Sequence, residues 1–99
     1  MRYLLLILFG TISFTSFGEG LKGRVINAKQ ATIPFVNILI YVQNNNRPLG
    51  GTTTDENGEF TINNLTKGNT LTFSSIGYKT KTWLYDGQDS VNIMLEEET

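Results

Sequence analysis

Gly51-Thr52-Thr53-Thr54-Asp55-Glu56-Asn57-Gly58-Glu59-Phe60 decides the reading of this chain. A β-branched run, Gly51–Thr54, enters it, and a second extended run, Glu59–Asn63, leaves it. Between them stand four turn-forming residues. Asp55 can bond backbone N–H groups two residues on, Asn57 suits a turn, and Gly58 supplies a positive φ. The two runs and the turn predict a hairpin. In the second run Phe60 and Ile62 alternate with Glu59, Thr61 and Asn63, the period of a half-buried strand.

The same grammar runs outward in both directions. Leu21–Asn27 is predicted as the first strand. Pro34 precedes the second, Phe35–Val42. There Val36, Ile38, Ile40 and Val42 share one face, while Leu39 and Tyr41 make the other apolar too. That pattern predicts a central strand covered on both sides. Gln43 to Leu49 reads as a polar loop. Leu65 is expected to tuck under the loop ending at Lys67-Gly68-Asn69. Thr70–Ile76 follows, with Leu71 and Phe73 inward, and Gly77 breaks it. Tyr78–Tyr85 and Ser90–Leu95 complete seven strands, the last with Val91, Ile93 and Leu95 inward. No apolar stripe at helical spacing follows Glu19. Turn signals every 8–12 residues favour a β-sandwich over an α/β fold.

The N-terminal segment is an address. One charge, Arg2, precedes Leu4-Leu5-Leu6-Ile7-Leu8-Phe9, and no further charge appears before Glu19. This is a signal peptide of residues 1–18, with Ser16 and Gly18 at the small positions of a cleavage site. The rival is a retained anchor. The uncharged stretch, Tyr3 to Gly18, contains Gly, Ser and Thr and is shorter than the roughly 20 apolar residues of a spanning helix. The organisation expected is signal peptide 1–18, sandwich 19–95 and acidic tail 96–99, with Glu96-Glu97-Glu98 as a solvated linker.

Composition narrows the chemistry. The 99 residues include no histidine and no cysteine, and the formal net charge is −1. The usual general base, the commonest zinc ligand, thiol nucleophiles and disulfides are all missing. Cleavage at Glu19 would leave 7 basic against 9 acidic residues, since Arg2 departs with the leader. That balance gives no electrostatic case for nucleic acid. No catalytic residue and no cofactor is assigned.

The motifs then carry a family. Lys22-Gly23-Arg24-Val25-Ile26-Asn27, Ile33-Pro34-Phe35-Val36-Asn37-Ile38, the Gly51–Phe60 stretch, Leu65 to Gly68, and Phe73-Ser74-Ser75-Ile76-Gly77-Tyr78-Lys79-Thr80 together resemble the carboxypeptidase regulatory-like domain. The resemblance spans about residues 20–95. It implies an all-β fold, a seven-stranded Greek-key sandwich of the transthyretin (prealbumin-like) type. It also implies a non-catalytic accessory domain, as found beside peptidases and at the N-terminus of TonB-dependent outer-membrane receptors. The expected setting is the periplasm or outer membrane, and the expected partner an envelope protein, such as that receptor. Two positions depart from the family pattern: Phe35, where Gly often follows the Pro, and Asn27, where Asp is common.

Each candidate site has a plain rival. Asp55 and Asn57 could open a calcium loop, but the bidentate acid at loop position twelve would fall on Thr66. Asp55, Asn57, Gly58 and Gly77 are therefore read as structural turn residues. Lys22 and Asn92, on the first and last strands, could form an isopeptide bond. Strand five, however, offers only Ser74 and Ser75 where a proton-shuttling acid is needed. Tyr41, Trp83 and Tyr85, with Tyr78, could form a sugar-stacking surface. Trp83 and Tyr85 share a face with Lys79 and Lys81, which predicts exposure. A small carbohydrate-binding module is thus the alternative function. Exposed aromatics would favour it; aromatics buried between sheets would favour an interaction or spacer role.

Export gives the first expected outcome. N-terminal sequencing of the exported protein should read Glu19-Gly20-Leu21, because Ser16 and Gly18 are the small pair well placed after the apolar run. A chain that keeps Met1 and sediments with membranes would show the anchor instead.

Overall fold

The computed structural model describes residues 19–98, so the leader and Thr99 lie outside the described residues. Seven strands form: β1 (Glu19–Ile26), β2 (Asn37–Tyr41), β3 (Pro48–Thr53), β4 (Glu59–Leu65), β5 (Thr70–Ser74), β6 (Lys81–Leu84) and β7 (Ser90–Met94). They make a three-stranded sheet, β4-β1-β7, and a four-stranded sheet, β3-β2-β5-β6. All pairings are antiparallel except β1 with β7. No helix appears among the described residues. The molecule is an all-β sandwich.

Alternation fills the space between the sheets. Leu21, Val25, Phe60, Ile62 and Ile93 enter from one sheet, and Val36, Ile38, Leu71 and Phe73 from the other; all are buried. Phe60 meets Phe73 across the gap, with ring centroids 5.7 Å apart and a tilt of 57°, within the favoured range for aromatic pairs. Gly23 makes this contact fit. Phe60 is its partner in register. A Cβ on Gly23 would collide with the Phe60 ring and lie 2.9 Å from the Val91 carbonyl oxygen.

Several boundaries differ from the sequence reading. Phe35 and Val36 are not in β2, which starts at Asn37; Phe35 adopts a φ of 56°, outside the extended region. Pro48 and Leu49 leave the expected loop and open β3. Tyr78 is not in β6; it bridges to Glu97. β2 is central, between β3 and β5, but only its inner face is covered. Leu39 on the outer face is 38% exposed.

The largest correction concerns the Asp55–Gly58 turn. β3 and β4 lie in different sheets. The turn is therefore a corner that carries the chain from one sheet to the other, and the expected hairpin does not exist. Thr54, 1% exposed, anchors its near side. The Thr54 hydroxyl accepts from the Val36 N–H at 2.8 Å and donates to the Ile33 carbonyl at 3.0 Å. Its own N–H donates to the Val36 carbonyl, and its carbonyl accepts from Phe35. One threonine thus ties the entry of β2 to the exit of β3.

Thr54→Val keeps the shape and removes the hydroxyl. It strands a buried N–H and a buried carbonyl, so it should destabilise by about 1–3 kcal/mol. Urea unfolding of the two proteins checks this; an unchanged midpoint would show that the hydroxyl is dispensable.

Candidate interaction surfaces

The corner is held from within. Asp55 Oδ1 accepts from the Asn57 N–H at 2.8 Å and from the Glu59 N–H at 2.9 Å. The Asp55 N–H donates to the Glu59 carbonyl, and the Gly58 N–H donates to the Asp55 carbonyl. Gly58 has a φ of 74°, and a Cβ there would lie 2.8 Å from Thr32 Cβ. A side chain is thus opposed by both conformation and space. The Gly58 carbonyl accepts from the Val25 N–H, which docks the corner on β1. Asp55 and Asn57 therefore sit in a backbone-bonded turn. Among the described residues no three acids gather as metal ligands.

The aromatic candidates separate. Tyr41 is half-buried on the outer face of β2. Tyr85 is 1% exposed and belongs to the core, so the expectation that it stands at the surface is corrected. Trp83 packs partly buried against the same core, 6.3 Å from the Tyr85 ring. Its register partner is inward-facing Leu71. Lys81 shares that inner face, opposite Phe73, yet is exposed. β6 is an edge strand, so the lysine leaves sideways and its Nζ donates to the Met94 carbonyl at 3.3 Å. A lysine on a strand face did not mark a solvated face here.

The two outer faces differ in charge. On the three-stranded sheet Lys22, Arg24 and Glu59 are exposed, and Arg24 pairs with Glu59 at 2.8 Å. Lys22 lies beside Ser90, and Asn92 beside Arg24; both Lys22 and Asn92 are exposed, away from the core. On the four-stranded sheet the outer rows are Leu84-Thr70-Tyr41, Thr82-Thr72-Leu39-Gly51 and Ser74-Asn37-Thr53. That face contains no charged residue.

Two large apolar side chains are exposed in turns: Phe35, noted in the sequence only as a departure from the family pattern, and Ile76, which sequence reasoning did not single out. Phe35 is 66% exposed and Ile76 fully so. Ile76 and Gly77 form the turn Ser75–Tyr78, closed by the Tyr78 N–H on the Ser75 carbonyl, with Gly77 at a φ of 90°. The Pro34-Phe35 pair has a left-handed second residue, the place where the family pattern puts Gly. Asn27, in contrast, fills its position well: its Oδ1 accepts from the N–H groups of Lys29 and Ala31, as an Asp carboxylate would.

The acidic tail is also corrected. The side chains of Glu96, Glu97 and Glu98 are exposed, but the backbone of Glu96 and Glu98 is docked rather than free. The Lys79 N–H donates to the Glu96 carbonyl, and the Glu98 N–H donates to the Gly77 carbonyl. Lys79 Nζ lies 3.5 Å from Glu96 Oε1.

Fold and surface define a two-sheet sandwich module held together by its core and its turns. The model of the CarboxypepD_reg-like domain matches residues 21–99. The chain belongs to that carboxypeptidase regulatory-like family. No match is found among curated proteins. Among solved structures it is similar to a mutant of the shaft pilin SpaA from Lactobacillus rhamnosus GG, with a TM-score of 0.60 and 13% identity over 85% of this chain and 47% of that one. A streptococcal ancillary pilin gives 0.58 and 13%, over 85% and 34%. The group B streptococcus pilus 2b backbone protein gives 0.56 and 16%, over 82% and 42%. At such identities the likeness is one of fold. The chain spans less than half the length of each of these three proteins.

Phe35→Gly tests the strained turn. A left-handed non-glycine residue costs roughly 1–2 kcal/mol, partly offset by the entropy that glycine loses on folding. The substitution should stabilise by up to about 1 kcal/mol, raising Tm by several degrees. A lowered Tm would show that the Phe35 ring contributes packing that its exposure conceals.

Proposed function

We propose that this chain is a non-catalytic, exported interaction or spacer module of the bacterial envelope, linked to a TonB-dependent outer-membrane uptake receptor. The observation that carries the reading is the charge-free outer face of the four-stranded sheet. Leu39, Tyr41 and Leu84 stand on it among threonines, asparagine and glycine. Such a face suits contact with another folded protein, since interface cores are depleted in charge. The family supports an accessory role. The pilins of similar fold are named as pilus components, in keeping with a sandwich that builds and turns over nothing. The leader-like segment supports export to the periplasm. The carbohydrate alternative is weakened, because Tyr85 lies in the core and Trp83 is partly covered.

Site-specific photocrosslinking in the native envelope tests this. A crosslinker at position 39 should join the module to an outer-membrane receptor, while one at position 24 on the other sheet should not. No protein adduct at 39, together with retention on a polysaccharide column that Trp83→Ala abolishes without loss of fold, would replace this reading with sugar binding.

A further inference from the structure

Of the asparagines in the chain, Asn57 alone is followed by glycine. Such a pair is open to one self-reaction. The Gly58 nitrogen attacks Cγ of Asn57, and the bond from Cγ to Nδ2 breaks. Ammonia leaves, carrying the proton that the Gly58 amide gives up. The product is a five-membered cyclic imide. Water then opens it at either carbonyl, which leaves aspartate or isoaspartate. In isoaspartate the main chain runs through Cβ and Cγ. Glycine favours the attack because no Cβ shields its nitrogen.

The closed corner opposes that attack. The Gly58 N–H donates to the Asp55 carbonyl at 3.0 Å, so the proton that must leave is held. That bond spans Asp55–Gly58, and neither Glu56 nor Asn57 has a positive φ. The turn is therefore of type I, with Asp at its first position and Gly at its last. In such a turn ψ at the third residue, here Asn57, is near 0°. Closing the imide ring needs the Gly58 nitrogen nearly eclipsed with Cβ of Asn57, a large rotation of ψ away. Asp55 Oδ1 resists that rotation from both sides. It holds the Asn57 N–H at 2.8 Å and the Glu59 N–H at 2.9 Å. Gly58 is also packed against Thr32, and its carbonyl accepts from Val25. The Asn57 side chain itself is exposed to the water that the second step consumes.

We propose that Asn57 is a modification site gated by the Thr54–Gly58 corner. It is unreactive while the corner is closed and deamidates when the corner opens. Reclosing does not reverse the change. Isoaspartate adds a backbone carbon to a turn in which one Asp55 oxygen must reach two amides and Gly58 must fit against Thr32. Either product adds a negative charge beside Asp55, Glu56 and Glu59, and like charges at short range oppose closure. Isoaspartate therefore holds the corner open, at the place where the chain crosses between sheets. The modified residue is a lasting record that the corner has opened.

The gate concerns the corner and not the outer faces, so it is independent of the receptor-linked reading. Incubation of the purified protein in mildly alkaline buffer tests it, with peptide mass mapping and isoaspartate detection at position 57. In urea, with the corner open, Asn57 should convert fastest. In the folded protein it should convert at least about a hundredfold more slowly, because a packed turn opens rarely. Asp55→Ala releases the Asn57 and Glu59 amides and should speed conversion in the folded protein about tenfold or more. Asp55→Asn keeps an acceptor oxygen and should restore much of the protection. Thr54→Val loosens the same corner with Asp55 intact and should speed conversion as well. Circular dichroism before incubation confirms that each variant is folded. An Asn57 that converts as fast in the folded protein as in urea, or at a rate indifferent to both Asp55→Ala and Thr54→Val, overturns the proposal. So does an Asn57 that stays intact in urea.

Discussion

Everything in this sandwich depends on the corner at Thr54–Gly58. The chain must leave one sheet and enter the other there without leaving buried polar groups unpaired. Thr54 satisfies the first half, bonding Ile33 and Val36 through a hydroxyl that is 1% exposed. Asp55 satisfies the second, gathering the Asn57 and Glu59 amides on one oxygen. Gly58 closes the path by passing under Thr32 and bonding Val25. Strands β1, β2, β3 and β4 all meet at this point. The relative placement of the two sheets is therefore set by a few polar residues, and the apolar core fills the space they define.

The core in turn fixes what the surface offers. Gly23 leaves room for the Phe60 ring, and Phe60 reaches Phe73 on the facing sheet. Tyr85 and Trp83 close one margin of the same layer, with Lys81 crossing from β6 to β7. With Phe60, Phe73, Trp83 and Tyr85 turned inward, the outer face of the four-stranded sheet is left to threonine, serine, asparagine and glycine, with Leu39, Tyr41 and Leu84 among them. One face keeps an ion pair and the other keeps no charge at all.

Much of this was legible in the residues. Val36, Ile38, Phe60, Ile62, Leu71, Phe73 and Ile93 announced their inward faces by simple alternation, and all are buried. The turn at Asp55–Gly58 was readable because side-chain-to-backbone bonding is local. The face of Trp83 and Tyr85 was not. Their lysine neighbours suggested water, but a long side chain on an edge strand can escape sideways while its stem covers the core. The docking of Glu96–Glu98 was equally hidden, because the bonds come from backbone and say nothing of side-chain charge. Phe35 could be noticed only as an exception to a pattern; its left-handed φ supplies the reason.

The sequence by itself determined the number and approximate extent of the strands, their inward residues and the chemistry of the turns. These depend on neighbours a few positions apart. Tertiary structure alone decided which sheet each strand joined. An Asp–Glu–Asn–Gly turn bonds its own backbone in much the same way whether the next strand folds back on the last or crosses to the opposite sheet. The choice rests on long-range pairing, β4 with β1 and β3 with β2, and on a buried hydroxyl meeting partners 18 and 21 residues away.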